Sequence, residues 1–277
     1  MFTLRRLAKS SENDNPGTMT ATVTSLGSLG TARAGSTGTP ILFLHGVGSD
    51  KSVWAPQLAH FGRARCAVAF DYPGYGDSAP VAEGTSRDDY AAAIVAAMDA
   101  LEIEQAHICG LSLGGVVAIA MHALAPERCL SLVLADTFAV HPDGPRIYER
   151  SLAASADLRA LAEARVDFLL APGALDDVRR EVIETMARID PRAYRVGAEA
   201  VWRADQRDRA AAIDVPTLVI CGEEDKVTPP SLSEDLASII KQARLDIVPG
   251  AGHISNLERP AEFNLHVEQF LADVERR

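Results

Sequence analysis

The pentapeptide Gly110-Leu111-Ser112-Leu113-Gly114 sets a serine between two glycines where a short apolar run gives way to a helical stretch. At a sharp strand-to-helix turn a serine hydroxyl is lifted clear of the sheet edge, and glycines are needed where side chains would collide. The same residues would also serve as a plain helix N-cap, a position that favours serine. What separates the two readings is whether the chain supplies a base. A serine hydroxyl is a poor nucleophile at its own pKa and needs an imidazole, which in turn needs an acid to fix its tautomer. Both residue types occur downstream. The loop Gly222-Glu223-Glu224-Asp225 follows the apolar run Thr217 to Cys221, and Pro249-Gly250-Ala251-Gly252-His253 follows Arg244 to Val248.

Each partner has rivals. Glu223 and Glu224 adjoin Asp225, and Asp136 ends the apolar run Ser131 to Ala135. Asp225 is favoured because Thr228-Pro229-Pro230 can turn the chain into a following helix. Among the seven histidines only His253 sits in a glycine-rich loop after a late strand. A tetrahedral intermediate also requires preorganised donors. His45-Gly46-Val47-Gly48, directly after Ile41 to Leu44, can supply the Val47 N–H, and the Leu113 N–H beside the serine can supply the second. His45 is expected to orient that loop. Trp54 and Trp202 are candidate walls of a substrate pocket, with a core role as the alternative for each.

These residues need a frame that brings them together. Thr22 to Ser28 and Gly30 to Gly35 read as a hairpin. Short apolar strands follow at Ile41 to Leu44, Ala67 to Phe70, Ala106 to Gly110, Ser131 to Ala135, Thr217 to Cys221 and Arg244 to Val248. Helical stretches at Arg87 to Leu101 and Leu113 to Leu124 separate some of them, which predicts an α/β fold with a mostly parallel sheet covered on both faces. In such a sheet the C-terminal strand ends converge on one edge, so Ser112, Asp225 and His253 can meet there. The rhythm breaks between Phe138 and Ile213, where the pattern is helical. Residues 1–18 are polar and aperiodic and are expected to be a disordered tail. The expected layout is a core of 19–137 and 213–277 with a helical cap at 138–212. The twelve arginines of that cap are matched by a similar number of acids, so most are expected to lie on solvated ion-pairing faces.

Composition removes several classes of function. The 277 residues carry 27 Lys and Arg against 38 Asp and Glu, a formal charge of −11. A surface of that sign repels phosphate backbones, so neither nucleic acid nor an anionic membrane is an expected partner. No apolar stretch approaches the roughly 20 residues of a membrane helix, and the N-terminus lacks a leader pattern, so a cytoplasmic location is expected. Cys66, Cys109, Cys129 and Cys221 lie far apart with no C-x-x-C spacing, and are read as reduced, packed thiols rather than zinc ligands. No cofactor and no metal are expected.

With these motifs in place the chain resembles the α/β-hydrolase superfamily. The resemblance rests on His45-Gly46 after a strand, Asp71-Tyr72-Pro73-Gly74-Tyr75-Gly76-Asp77-Ser78, Gly110-Leu111-Ser112-Leu113-Gly114-Gly115, and the Asp225 and His253 loops in that order. Within the superfamily it is most similar to the 3-oxoadipate enol-lactonases, through Trp54-Ala55-Pro56-Gln57-Leu58, Leu134-Ala135-Asp136-Thr137 and His253-Ile254-Ser255-Asn256-Leu257-Glu258. The resemblance implies a metal-free serine hydrolase for a small ester or lactone, with a cap arginine to pair with a substrate carboxylate. The alternatives are a carbon–carbon hydrolase of vinylogous diketones, for which Ile254 stands where an aromatic residue is usual, a cofactor-free haloperoxidase or perhydrolase, and a non-catalytic receptor on the same fold.

Overall fold

The computed structural model describes residues 22–26 and 29–276. The tail expected over 1–18 lies outside the described residues. Eight strands form one sheet: β1 Thr22–Leu26, β2 Leu29–Ala34, β3 Ile41–Leu44, β4 Ala67–Phe70, β5 Ala106–Leu111, β6 Cys129–Ala135, β7 Thr217–Gly222 and β8 Ala243–Val248. Their order is β1-β2-β4-β3-β5-β6-β7-β8. The β1–β2 and β2–β4 pairs are antiparallel and the remainder are parallel.

Ile-Leu-Phe-Leu in β3 and Ala-Val-Ala-Phe in β4 are apolar at every position because both faces of the sheet are covered. Alternate residues feed opposite cores. Leu42, Leu44, Val68 and Phe70 pack with Tyr90, Ile94, Val117 and Leu236. Ile41, Phe43, Ala67 and Ala69 pack instead with Leu58, Phe61, Phe263 and Val267. The helices concerned belong to a series: α1 Ala55–Phe61, α2 Arg87–Ala100, α3 Leu113–Leu124, α4 Gly144–Ala154, α5 Leu158–Leu169, α6 Asp176–Arg188, α7 Pro191–Trp202, α8 Arg207–Ala211, α9 Pro230–Ile239, α10 Ser255–Glu258 and α11 Pro260–Glu275. Thus α2, α3 and α9 cover one face, and α1 and α11 the other. Ser86 and Asp89 form a capping box that starts α2.

Two features of this frame bear on the site. Helices α4 to α8 occupy the whole interval between β6 and β7, where the pairing of Val140 with Asp205 is the sole β-bridge among the described residues. After β4, the buried Asp71 accepts the N–H groups of Lys51 and Asp77 and pairs with the Lys51 ammonium at 2.6 Å. This arrangement ties the loop after β3 to the loop after β4, and it accounts for Asp71 and Gly76 in the motif, since Gly76 has φ +47° and its Cβ would lie on the Asp71 carboxylate. Among the described residues no helix is long and apolar enough to cross a membrane.

Candidate active site

Ser112 sits between β5 and α3 with φ 55° and ψ −113°, a conformation that a non-glycine residue adopts only when its surroundings hold it. They do so on several sides. Ser112 donates its N–H to Ala135 O at 2.9 Å, and its carbonyl accepts from the Thr137 hydroxyl at 2.8 Å. The flanking glycines permit the turn: a Cβ on Gly110 would stand 2.1 Å from Gly114 O, and one on Gly114 would stand 2.0 Å from Leu44 O. A serine that merely capped a helix would accept an N–H of the first turn, and Ser112 makes no such bond.

The Ser112 hydroxyl lies 3.1 Å from His253 Nε2, and His253 Nδ1 lies 2.8 Å from Asp225 Oδ2. The order of loops expected from sequence therefore brings these three residues into contact, all buried at the C-terminal edge of the sheet. Asp225 is itself fixed by the N–H groups of Val227 and Thr228 and by the Thr228 hydroxyl, at 2.7, 2.9 and 2.7 Å. Burial alone would push His253 down, but the Asp225 charge and hydrogen bond outweigh it, and the net effect raises its pKa above the ordinary 6.5. Asp136 lies behind this pair. It accepts the Gly222 N–H and the Ser255 hydroxyl and makes no bond to His253. Burial first, and then the neighbouring Asp225 charge, push its carboxyl up to about 8.

The last residues of the sequence motif at His253 have clear structural roles. Glu258 accepts the N–H groups of Ala171, Gly252 and Ile254 at 2.7, 3.0 and 3.3 Å, which fastens the histidine loop to the chain just after α5. His253 N–H adds a bond to Leu169 O at 2.7 Å. The Asn256 side chain donates to Val53 O and to Gln57 Oε1, and Gln57 Nε2 donates to the Asn256 backbone carbonyl. The two sequence segments Trp54 to Leu58 and His253 to Glu258 are therefore one interlocked structure. The signal for this role of Glu258 in the sequence is a carboxylate about one helical turn after a glycine-rich loop.

Val47 and Leu113 flank the serine, and neither N–H has an acceptor among the described residues. Leu113 is the first residue of α3, so its N–H is one that a helix leaves free. His45 is fully buried, and that burial lowers its pKa. Its Nδ1–H donates to Gly46 O at 2.8 Å while Nε2 faces the Tyr72 N–H, so it braces the loop.

A cavity of about 60 Å³ opens beside Ser112 and His253, walled by Val47, Val53, Leu169, Val182, Met186 and Trp202 among others. Trp202 is thus a wall, stacked on Phe138. Trp54 is not. The short 3₁₀ turn Lys51–Trp54, capped by Asp50, turns Val53 toward the cavity and Trp54 into the core against Phe43 and Phe263. Arg165 also lines the cavity, near enough for its charge to act against protonation of His253. The Tyr194 hydroxyl and Trp202 Nε1 are buried without a partner among the described residues.

Asp136, Cys221 and Asp225 bring one potential metal-ligand atom each within 4.8 Å of one another. The donor set does not suit a metal. Both carboxylates are committed to hydrogen bonds, and burial pushes the Cys221 thiol well above its ordinary pKa, which disfavours the thiolate. All four cysteines are buried and free.

A mostly parallel sheet with a strained serine on the turn after a central strand, and an aspartate and a histidine on later loops, is the arrangement of an α/β-hydrolase. The chain belongs to the alpha/beta hydrolase family, whose sequence model matches residues 41–264. The 3-oxoadipate enol-lactonase 1 of Acinetobacter baylyi is 30% identical over 227 residues, covering 80% of this chain and 85% of that one. A pimeloyl-[acyl-carrier protein] methyl ester esterase of Neisseria meningitidis is 31% identical, covering 84% of this chain and 74% of its own. The crystal structure of the enol-lactonase from Burkholderia xenovorans superposes with a TM-score of 0.83 at 28% identity, over 88% of this chain and 96% of that chain.

Proposed function

We propose that this protein is a serine hydrolase of small carboxylic esters or lactones that works through an acyl-enzyme. The observation that carries this reading is His253 bridging Ser112 and Asp225 at 3.1 and 2.8 Å, beside two amides that lack acceptors. His253 Nε2 takes the Ser112 proton as Oγ attacks the acyl carbon. The N–H groups of Val47 and Leu113 receive the negative oxygen of the tetrahedral intermediate. Collapse breaks the ester C–O bond, and His253 returns the proton to the leaving oxygen, which in a lactone stays attached to the acyl chain. Water then attacks the acyl-enzyme with His253 as base, and Ser112 leaves with its proton restored. Asp225 orients the imidazole and stabilises its charged form. Residues 138–212 act as the cap over the cavity. The names of the relatives, an enol-lactonase and a methyl ester esterase, support an ester-type bond.

The test is a panel of p-nitrophenyl esters, a carboxylated enol-lactone and a vinylogous diketone, with Ser112→Ala as the blank. Turnover of an ester or the lactone is expected, reduced by about 10⁴ to 10⁶ in the variant. Preference for the diketone would move the protein to carbon–carbon hydrolysis, and retention of activity by Ser112→Ala would remove Ser112 as the nucleophile.

A further inference from the structure

Tyr75 is fully buried behind the loop that carries the Val47 amide, its ring packed on His45 with centroids 4.9 Å apart. Its hydroxyl lies 3.2 Å from each of two carbonyl oxygens, Val47 O and Ala193 O. A phenol carries one proton, so it donates to one of them at a time. The two acceptors are not equal. Ala193 is the third residue of α7, where its carbonyl already accepts the helical N–H of Gly197, four residues on. Val47 O has no other donor among the described residues. A buried carbonyl left unmet is costly, so the proton belongs on Val47 O. Burial first, and then the neighbouring hydroxyls of Tyr90, Tyr194 and Tyr72, push the Tyr75 pKa well above the ordinary 10, and the phenol keeps its proton.

The consequence lies one peptide away. Gly46 O accepts His45 Nδ1–H at 2.8 Å and Ser49 N–H at 3.2 Å, which fastens the peptide plane that carries the Val47 N–H. Tyr75 fastens the next plane through Val47 O. With the planes on both sides held, both torsions of Val47 are set, and its N–H keeps one direction without an acceptor of its own. Helix α7 makes room for this contact. Gly197 stands in its interior, where glycine weakens a helix, and a Cβ there would lie 2.1 Å from the Tyr75 hydroxyl oxygen.

Resting on the hydrolase reading above, we propose that Tyr75 is a positioning residue for the oxyanion hole, aiming the Val47 N–H through its bond to Val47 O, and that Gly197 is the seat that keeps the hydroxyl in place. Preorganised donors act on charge that develops in the transition state, so the hydroxyl contributes to kcat and not to substrate affinity.

Two measurements test this. In turnover, kcat and KM for p-nitrophenyl acetate are compared among the wild-type protein, Tyr75→Phe, Gly197→Ala and the double variant, with an unfolding transition to check that each is folded. Loss of a whole oxyanion donor costs about 10² to 10³ in kcat, so a donor that is loosened should cost about 10 to 10² in Tyr75→Phe, with KM held within about twofold. Gly197→Ala displaces the hydroxyl and should lower kcat in the same way. Added to Tyr75→Phe, which has no hydroxyl to displace, it should change kcat by no more than about twofold. Methylboronic acid gives the matching equilibrium reading: Ser112 Oγ bonds to boron, the serine proton passes to His253, and the tetrahedral anion occupies the hole. Its Kd should rise by the factor by which kcat falls. An unchanged kcat in folded Tyr75→Phe, a rise in KM alone, or losses that multiply in the double variant would overturn the proposal. If Tyr75→Phe does not fold, Gly197→Ala decides, since kcat and boronic acid affinity as in the wild type would refute the role of the hydroxyl. In the second measurement, backbone amide relaxation of the wild-type protein and Tyr75→Phe reads the loop without any catalysis. The Val47 and Gly48 amides should fall from the order parameter of about 0.85 of rigid backbone in the variant. If no ester is turned over but these amides loosen, the hydrolase reading fails and the bracing by Tyr75 stands. If they stay rigid, the bracing is refuted whatever the turnover.

Discussion

Two buried aspartates compete for the role of the acid, and replacing each by asparagine should give opposite results. Asp225 receives four donors: Val227 N–H, Thr228 N–H, the Thr228 hydroxyl and His253 Nδ1–H. Whichever way an asparagine side chain is flipped there, its NH₂ faces two groups that donate to the carboxylate, so the four bonds cannot all be kept. With the NH₂ toward His253, the imidazole proton is forced onto Nε2, where it can no longer accept the Ser112 proton. Asp225→Asn is therefore expected to lower kcat by about 10⁴, or roughly 5 kcal/mol at 1.36 kcal/mol per factor of ten. Asp136 has two donors, Gly222 N–H and the Ser255 hydroxyl, and a carboxyl pushed up to about 8 by burial and by the Asp225 charge. It is already neutral for the most part at pH 7, so an amide of the same shape changes little, and its φ of 47° is one that asparagine tolerates. Asp136→Asn should keep kcat within about tenfold. It should also stabilise the fold. The folded pKa is raised, so the wild-type aspartate contributes fully below its unfolded pKa of 3.8 and loses stability as pH rises toward about 8. The gain on substitution should grow over that window by up to about 1.4 kcal/mol per pH unit. Steady-state kinetics at pH 7 and urea unfolding at pH 4 and 8 read both effects. A greater loss of kcat at Asp136 than at Asp225 would refute the assignment of the acid.

The raised pKa of His253 places the acid limb of kcat/KM above 6.5, because only the neutral imidazole can take the serine proton. Asp225→Asn should move that limb down, and a limb that stays fixed in a pH-rate profile would separate His253 from the base. The same shift contributes stability that is present below 6.5 and lost as pH rises through the folded value. Glu258→Ala would leave two buried N–H groups and one half-buried N–H group without their acceptor, at about 1 kcal/mol or more for each buried one, and should lower stability by about 2 to 3 kcal/mol while loosening the His253 loop. Glu258→Gln, which keeps a carbonyl acceptor, should lie between the two in both the urea midpoint and kcat.

Most of the frame is legible in the sequence, because a doubly covered strand is apolar throughout and ends at glycine or a polar turn. Ile41 to Leu44, Ala67 to Phe70 and Leu113 to Leu124 fall where the pattern places them. The start of β6 is at Cys129 rather than Ser131, since the half-buried Leu130 near the strand end hides the alternation. Loop order was enough to predict that Ser112, Asp225 and His253 meet, because a parallel sheet gathers strand ends at one edge. Facing directions inside a tight turn are not encoded so simply: the 3₁₀ phase of Lys51 to Trp54 decided that Val53 and not Trp54 lines the cavity. Arg165 escaped for a related reason. Eleven of the twelve arginines sit on helices and Arg203 caps one, and only packing distinguishes the one turned inward from those paired with surface acids.

The central claim is that Ser112 becomes acylated. Rapid quenching of the wild-type protein in the first turnover with p-nitrophenyl acetate, followed by mass mapping of the peptides, reads this directly. An acetyl group on the peptide carrying Ser112, absent from Ser112→Ala, is the expected result. An ester turned over with no adduct on Ser112, or an adduct on another residue, would contradict it.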